Sequence, residues 1–324
     1  MLGMAALFRS NYAQSVVTTP TRNYAKELHQ MASYTLQLEL DNEYISPWIK
    51  LAGLWELMNY EYYAGNLTSY YHHLNQAATV VRFAIGSNNI DLLKLSGEQT
   101  FDLRCFAWCD ILSSMALSRP TLLNYESDIH NSFPHGDYVD SDKGVEWIFG
   151  CPDVLTILLA RTSALRHSHV PPEEKVARGC ELEQLMQDWK FQSLPSQRSV
   201  LRVARLAAQE TWRHAAILYV HQAIFKSDSS HPSVKNSVKI ITQIASTLTP
   251  GVNPDCFLAV PYFIAASFAT TLKDRYTLRS RILRSGNESF LRNLVAALDD
   301  SWKETDATGS LATWSKQHPP RIMF

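Results

Sequence analysis

The chain predicts an all-α protein, packed helical hairpins forming one large domain. Three observations point there. Apolar residues keep helical spacing on both sides of a turn within Arg205–Leu248, several other segments repeat the same rhythm, and no run shows sustained strand alternation. In the first helix of that hairpin Trp212, Ala215, Ala216, Tyr219, Val220, Ala223 and Ile224 mark one buried face. Ser227, Asp228, Ser229 and Ser230 break the pattern, and Pro232 stands where a first helical turn tolerates it. Val234, Val238, Ile241, Ala245 and Leu248 carry the second helix, which stops before Pro250 and Gly251. A length of 324 residues suffices for one large core, and no composition shift marks an internal boundary. Residues 1–20 lack periodicity and read as a flexible lead-in, with residues 21–324 as the all-α unit.

The remaining elements follow in order. Trp48, Leu51, Trp55, Met58 and Tyr62 predict a helix that starts after Pro47 and ends at Gly65–Asn66. Tyr70, Leu74, Ala77, Val81 and Ile85 predict the next, closed by the turn-forming Gly86–Asn89. Phe101, Cys105, Trp108, Leu112 and Met115 form a third, which closes near Arg119–Pro120. Residues 119–150 are the longest interruption, and such loops are often functional. Pro152 opens a helix through Val154, Leu155, Leu158, Leu159, Thr162 and Leu165. Pro171–Pro172 opens another, with Glu173 and Glu174 where acidic groups favour the helix dipole. After the hairpin come a helix over Phe257–Leu272, an Arg-rich segment, and a last helix with Leu291, Leu294, Leu298 and Trp302. The helical pairs recur without a fixed period, so a regular solenoid is not indicated.

Composition narrows the function. Charged residues are 19% and apolar ones 46%, as in a folded globular chain. The net charge of −1 gives the chain as a whole no electrostatic pull toward nucleic acid. Five cysteines, Cys105, Cys109, Cys151, Cys180 and Cys256, are odd in number and widely spaced, which speaks against a disulfide framework. Cys105 and Cys109 lie four apart on a predicted helix and read as buried packing rather than a metal half-site. Tyr62–Val81 and Cys256–Leu272 lack acidic and basic residues. The first holds Asn66, His72, His73, Asn75 and Gln76, and the second is short and broken by Pro261, so neither is expected to cross a membrane.

No catalytic constellation stands out. A Gly-rich phosphate loop, a Gly-x-Ser-x-Gly elbow and a His-Glu-x-x-His pair are all missing. Adjacent His72 and His73 point to different faces of a helix, and His167 and His169 read as a C-terminal cap. Asp110 beside Trp108 reads as a buried hydrogen-bonding group, and Asp299–Asp300 as solvated. Arg198, Arg202 and Arg205 make one stripe, expected to pair with Glu181, Glu183 and Asp188 rather than with phosphate; Arg275, Arg279 and Arg281 are read in the same way. No residue is assigned to catalysis or to a metal, and no cofactor-binding residue is designated.

Five blocks, in order, resemble the fungal-specific transcription factor domain, the helical regulatory region downstream of the binuclear zinc cluster in many fungal regulators. They are Leu54–Val81, Phe106–Leu123 with its Trp108-x-Asp110-Ile111-Leu112-x-Ser114 helix, Gly150–Arg166, Thr211–Leu248 and Leu298–His318. The resemblance spans roughly residues 30 to 318. It implies a nuclear regulatory domain that controls RNA polymerase II transcription through proteins of the transcription machinery or a small-molecule effector. One departure is plain: the zinc cluster needs six cysteines packed close together, and five scattered ones cannot build it. Zinc, and contact with DNA, are therefore expected only through an N-terminal module outside this sequence or through a partner. Two other classes stay open: an all-α enzyme whose polar groups converge only in three dimensions, and an interaction module without a transcriptional role.

Overall fold

The first helix falls where the sequence predicts none. Leu2–Tyr12 form α1, inside the stretch read as a flexible lead-in. Only Leu7 and Ser10 are buried along it, so its one-residue apolar stripe leaves no period to detect. Tertiary packing holds it instead: Leu7 joins Ala25 of α2 (Thr18–Leu40) and Tyr60 of the next helix in a small satellite cluster. The computed structural model describes residues 2–12, 18–129, 144–191, 199–251, 257–309 and 322–324.

The next helices end where their caps predict. Pro47 opens α3 (Pro47–Ala64), and Gly65 closes it in a left-handed conformation (φ 77°) that a residue with a Cβ adopts only at a cost. The Asn66 side chain accepts from the Ser69 N–H and so starts α4 (Leu67–Ile85). A short parallel pairing of β1 (Asn89–Ile90) with β2 (Asn124–Tyr125) flanks α5 (Phe101–Leu117), a minor exception to the all-α reading. Every residue of α5 from Leu103 to Ala116 is buried. A one-turn helix, α6 (Glu146–Phe149), lies in the predicted long loop, of which residues 130–143 fall outside the described residues.

Helices α7 (Asp153–His167) and α8 (Pro172–Asp188) start at the predicted prolines. The central hairpin pairs α9 (Ser199–Val220) with α10 (Pro232–Thr247). Residues His221–Phe225 extend α9 by a widened π turn that ends at Lys226 in the left-handed region (φ 55°). Lys226 Nζ donates to the Gln222 and Ala223 carbonyl oxygens, which offsets that strain. All seven residues of the predicted face of α9 are buried.

The predicted helix over Phe257–Leu272 is two. α11 (Ala259–Ser267) stops at Phe268, and Leu272 begins α12 (Leu272–Arg284), where it is 84% exposed. The Arg-rich segment is thus a helix itself, capped by the Thr271 hydroxyl, which accepts from the Asp274 N–H. α13 (Ser289–Thr308) follows. Helices pack mainly as sequential pairs, α1 with α2, α3 with α4, α7 with α8, α9 with α10 and α11 with α12, and α11 also lies on α9. One contiguous apolar core joins them from Leu36 to Phe324. The fold is the all-α assembly of hairpins that the sequence predicts.

Candidate functional site

Packing around α3, α5 and α13 leaves a cavity of about 480 Å³. Its wall follows from helical spacing. Trp55, Met58, Asn59, Tyr62 and Tyr63 fall at i, i+3, i+4, i+7 and i+8 of α3 and so share one face. Phe101, Trp108, Cys109 and Leu112 do the same on α5. Phe8 and Tyr12 of α1 close one side, Phe149 of α6 and Trp212 of α9 another, and Phe290 and Leu291 of α13 a third. Phe324 also lines it; its ring lies 5.3 Å from that of Phe263, and the Tyr71 hydroxyl donates to the Ile322 carbonyl oxygen at 2.8 Å.

The wall is aromatic and ordered by ring contacts. Trp108 stacks on Phe149 at 4.9 Å and meets Trp212 edge-on at 5.2 Å. Tyr62 lies 4.3 Å from Phe290, and Phe8 4.9 Å from Tyr63. Each such pair contributes about 0.5–1.5 kcal/mol beyond area burial, which holds the wall in shape. Phe8, Phe101 and Phe257 are partly exposed and form the rim.

Asn59, Ser285, Glu288 and four tyrosines bring polar groups to an otherwise apolar wall. The Tyr12 hydroxyl donates to Glu288 Oε1 at 2.6 Å, tying α1 to the turn before α13. Burial, and then this bond, push the Tyr12 phenol up to about 12. Gly286 makes room for the carboxylate: a Cβ there would stand 2.0 Å from Glu288 Oε2. The Trp212 indole N–H is buried and has no hydrogen-bond partner among the described residues. An unmade bond of that kind costs about 1–3 kcal/mol. Burial pushes the Cys109 thiol up to about 12, so the thiol at the wall stays protonated at neutral pH. Among the described lining residues Glu288 has the one carboxyl side chain, and none is a histidine.

Elsewhere the sequence-predicted residues take structural places. Asp110 accepts from the Leu122 and Leu123 N–H groups, the Tyr125 hydroxyl and Arg119 at 2.8–3.1 Å, bracketing the chain after α5 as a buried hydrogen-bonding group. Burial raises its carboxyl above the usual range against the pull of Arg119. His167 ends α7 with its ring nitrogens 2.9 Å and 3.0 Å from the Ser163 and Ser118 carbonyl oxygens, the capping role its position predicts. His72 is exposed and His73 buried, on different faces as predicted. Cys105 and Cys109 are buried in the core; Cys256 falls outside the described residues.

Two ion-pair expectations need correction. Arg205 pairs with Glu146 at 2.6 Å rather than with the acids of α8, because α6 folds back onto α9. Arg202 is exposed, and Arg198 lies outside the described residues. Asp299 is not simply solvated: it holds Arg279 at 2.9 Å. Arg275 binds Asp306 through both terminal nitrogens, and Arg281 donates to the Leu248 carbonyl oxygen. Arg275, Arg279 and Arg281 of α12 are thus taken up within the fold, while Arg284 is exposed.

Some clusters are not visible in sequence. Glu61 is fully buried between His73 (2.9 Å) and His29 (3.3 Å), joining α3 to α4 and α2. On an open groove beside α9, His214 lies between Glu210 (3.3 Å) and Ser237 (3.0 Å), and next to it the buried His221 lies between Glu183 (3.4 Å) and Ser227 (2.8 Å). These resemble serine–histidine–acid sets in composition only. Ser237 lies inside α10, buried, where neighbouring backbone N–H groups are committed to helix bonds and none can steady an oxyanion. Both sets sit where α8, α9 and α10 meet, and the imidazoles hold the Glu183 and Glu210 carboxyls below the usual range.

The geometry defines a helical domain built around an aromatic cavity, with its basic side chains largely paired internally. The model of the fungal-specific transcription factor domain matches residues 1–318, and the chain belongs to that family. Membership implies the regulatory region of a fungal transcription factor, and the family is not one of enzymes. No curated protein and no solved structure gives a significant match. Among the described residues no helix is long and apolar enough to cross a membrane.

Proposed function

We propose that this chain is the regulatory domain of a zinc-cluster-type fungal transcription regulator. It acts in the nucleus on RNA polymerase II transcription through contacts with other proteins or with a small-molecule effector. The family match over residues 1–318 carries this reading. The cavity supports the effector part, since a space of about 480 Å³ lies in the range of small-molecule sites. We assign no residue to catalysis. DNA contact is ascribed to a zinc-cluster module outside these residues or to a partner. A net charge of −1 and the internal pairing of Arg205, Arg275 and Arg279 support that ascription, since affinity for phosphate draws on a concentrated basic face.

The test is a fusion of residues 1–324 to a foreign DNA-binding module in a fungal cell, with a reporter behind that module's site. A change in reporter transcription relative to the module alone is the expected result. A fusion that is nuclear, abundant and inert would overturn the proposal and favour an interaction module without transcriptional work.

A further inference from the structure

The cavity combines three features seldom found together in an ordinary packing defect. Its wall is mostly flat ring surface, from Trp55, Tyr62, Trp108, Phe149 and Phe290. Trp212 adds its indole surface, with the unpartnered N–H itself closed off from the space. Glu288 brings a buried carboxylate to its edge, already engaged by one phenol hydroxyl but with lone pairs for a further donor.

An apolar void of this size loses dispersion contacts all along its lining, and the unmade indole bond adds to that cost. Rings favour offset or edge contact with other rings, so a flat aromatic guest recovers more of that loss than a flexible chain. The carboxylate calls for a donor and disfavours a second anion. From these observations we infer that the cavity binds a compact, planar aromatic molecule, neutral or cationic, that carries a hydrogen-bond donor for Glu288. Tyr12 holds α1 across the site through Glu288. This rests on the effector reading for its biological meaning, but binding itself is independent of transcription.

The probe is 6-hydroxy-2-acetonaphthone, a flat two-ring phenol with one ketone, titrated calorimetrically into the purified 324-residue protein. A Kd on the order of 10–100 μM is expected for so small a guest. Replacing the hydroxyl by methoxy should weaken binding about 3- to 10-fold, the worth of one hydrogen bond. 1-Decanol and 6-hydroxy-2-naphthoate should bind more weakly still. Glu288→Gln should reduce the hydroxyl preference, in a variant whose thermal melt confirms folding.

No saturable binding below about 1 mM, or 1-decanol binding as tightly as the naphthyl ketone, would overturn the inference on wild-type protein without recourse to variants. So would a hydroxyl preference that folded E288Q leaves unchanged. Binding as expected beside an inert reporter fusion would refute the transcriptional reading and leave the site standing; the opposite pair of results would do the reverse.

Discussion

The central hairpin, α9 with α10, and the N-terminal hairpin, α1 with α2, share a topology and differ in how they are held. On α9 Trp212, Ala215, Ala216, Tyr219 and Val220 are all buried, and on α10 Val234, Val238, Ile241 and Ala245 face them. On α2, by contrast, only Ala25 and Leu36 are buried, while Met31, Tyr34 and Leu38 are 61–69% exposed. The first hairpin stands on a wide apolar face. The second rests on a narrow seam, a few pairs such as Phe8 on Tyr63, and the Tyr12–Glu288 bond. Two helices of ordinary length can therefore contribute very unequally to one fold. The difference lies in area buried, at about 25 cal/mol per Å².

The largest blow to this contrast is Tyr219→Ala. Tyr219 is fully buried, and its hydroxyl lies 2.8 Å from Ser163 Oγ, which in turn meets Ser114 at 2.8 Å. Removing the ring should cost about 3–5 kcal/mol in urea unfolding followed by circular dichroism. Leu7→Ala should cost about 2 kcal/mol, the low end for leucine, since the satellite cluster of Leu7, Ala25 and Tyr60 can collapse. Hydrogen exchange sharpens the point: amides of α1 should exchange by local opening, and those of α9 only by global unfolding. If both sets exchange at the same rate, the two hairpins form one cooperative unit and the contrast fails.

A pH slope below neutrality is expected from the central half. Asp153, at the start of α7, accepts from the Val145 N–H at 2.9 Å, and burial raises its carboxyl from 3.8 to about 7. The folded state therefore keeps a proton that the unfolded chain releases, across the window from about 4 to 7. The Asp153 contribution should be greatest below that window and be lost as pH rises through it, by about 2 kcal/mol between pH 5 and pH 7 and about 4 kcal/mol in all. Asp153→Asn should flatten the slope measured by thermal melts at pH 5 and pH 7. The smallest effect is expected at Tyr34→Gln on α2, within about 0.5 kcal/mol, because the ring is 69% exposed. A loss above 1 kcal/mol would mean that the N-terminal hairpin buries more than its seam.

The same difference explains what could be read from sequence. Helices α3, α4, α7, α8 and α10 were legible because prolines or Asn66 open them and wide stripes run along them. α1 was not, because one buried leucine makes no period. The break at Phe268–Thr271 was hidden because both flanking segments are apolar or helix-compatible and no proline marks the stop. Arg205 with Glu146 and Arg279 with Asp299 join positions whose proximity depends on the fold, so neighbours in sequence misled. At the cavity, Trp55, Met58, Tyr62, Trp108, Leu112 and Trp212 were legible as core stripes. That their faces enclose a space was not, because spacing reports which residues turn inward and says nothing of how far apart they stop.

The burial of α5 has a consequence for how this sequence can drift. A helix with a wet side offers about half its positions to neutral change. Every residue from Leu103 to Ala116 lacks that side. Away from the cavity wall of Trp108, Cys109 and Leu112, polar, charged or larger replacements meet packed neighbours and smaller ones leave voids, so swaps that conserve volume remain open. Phe106–Leu123 should therefore stay recognisable in chains where α2, exposed along most of its length, has changed beyond recognition.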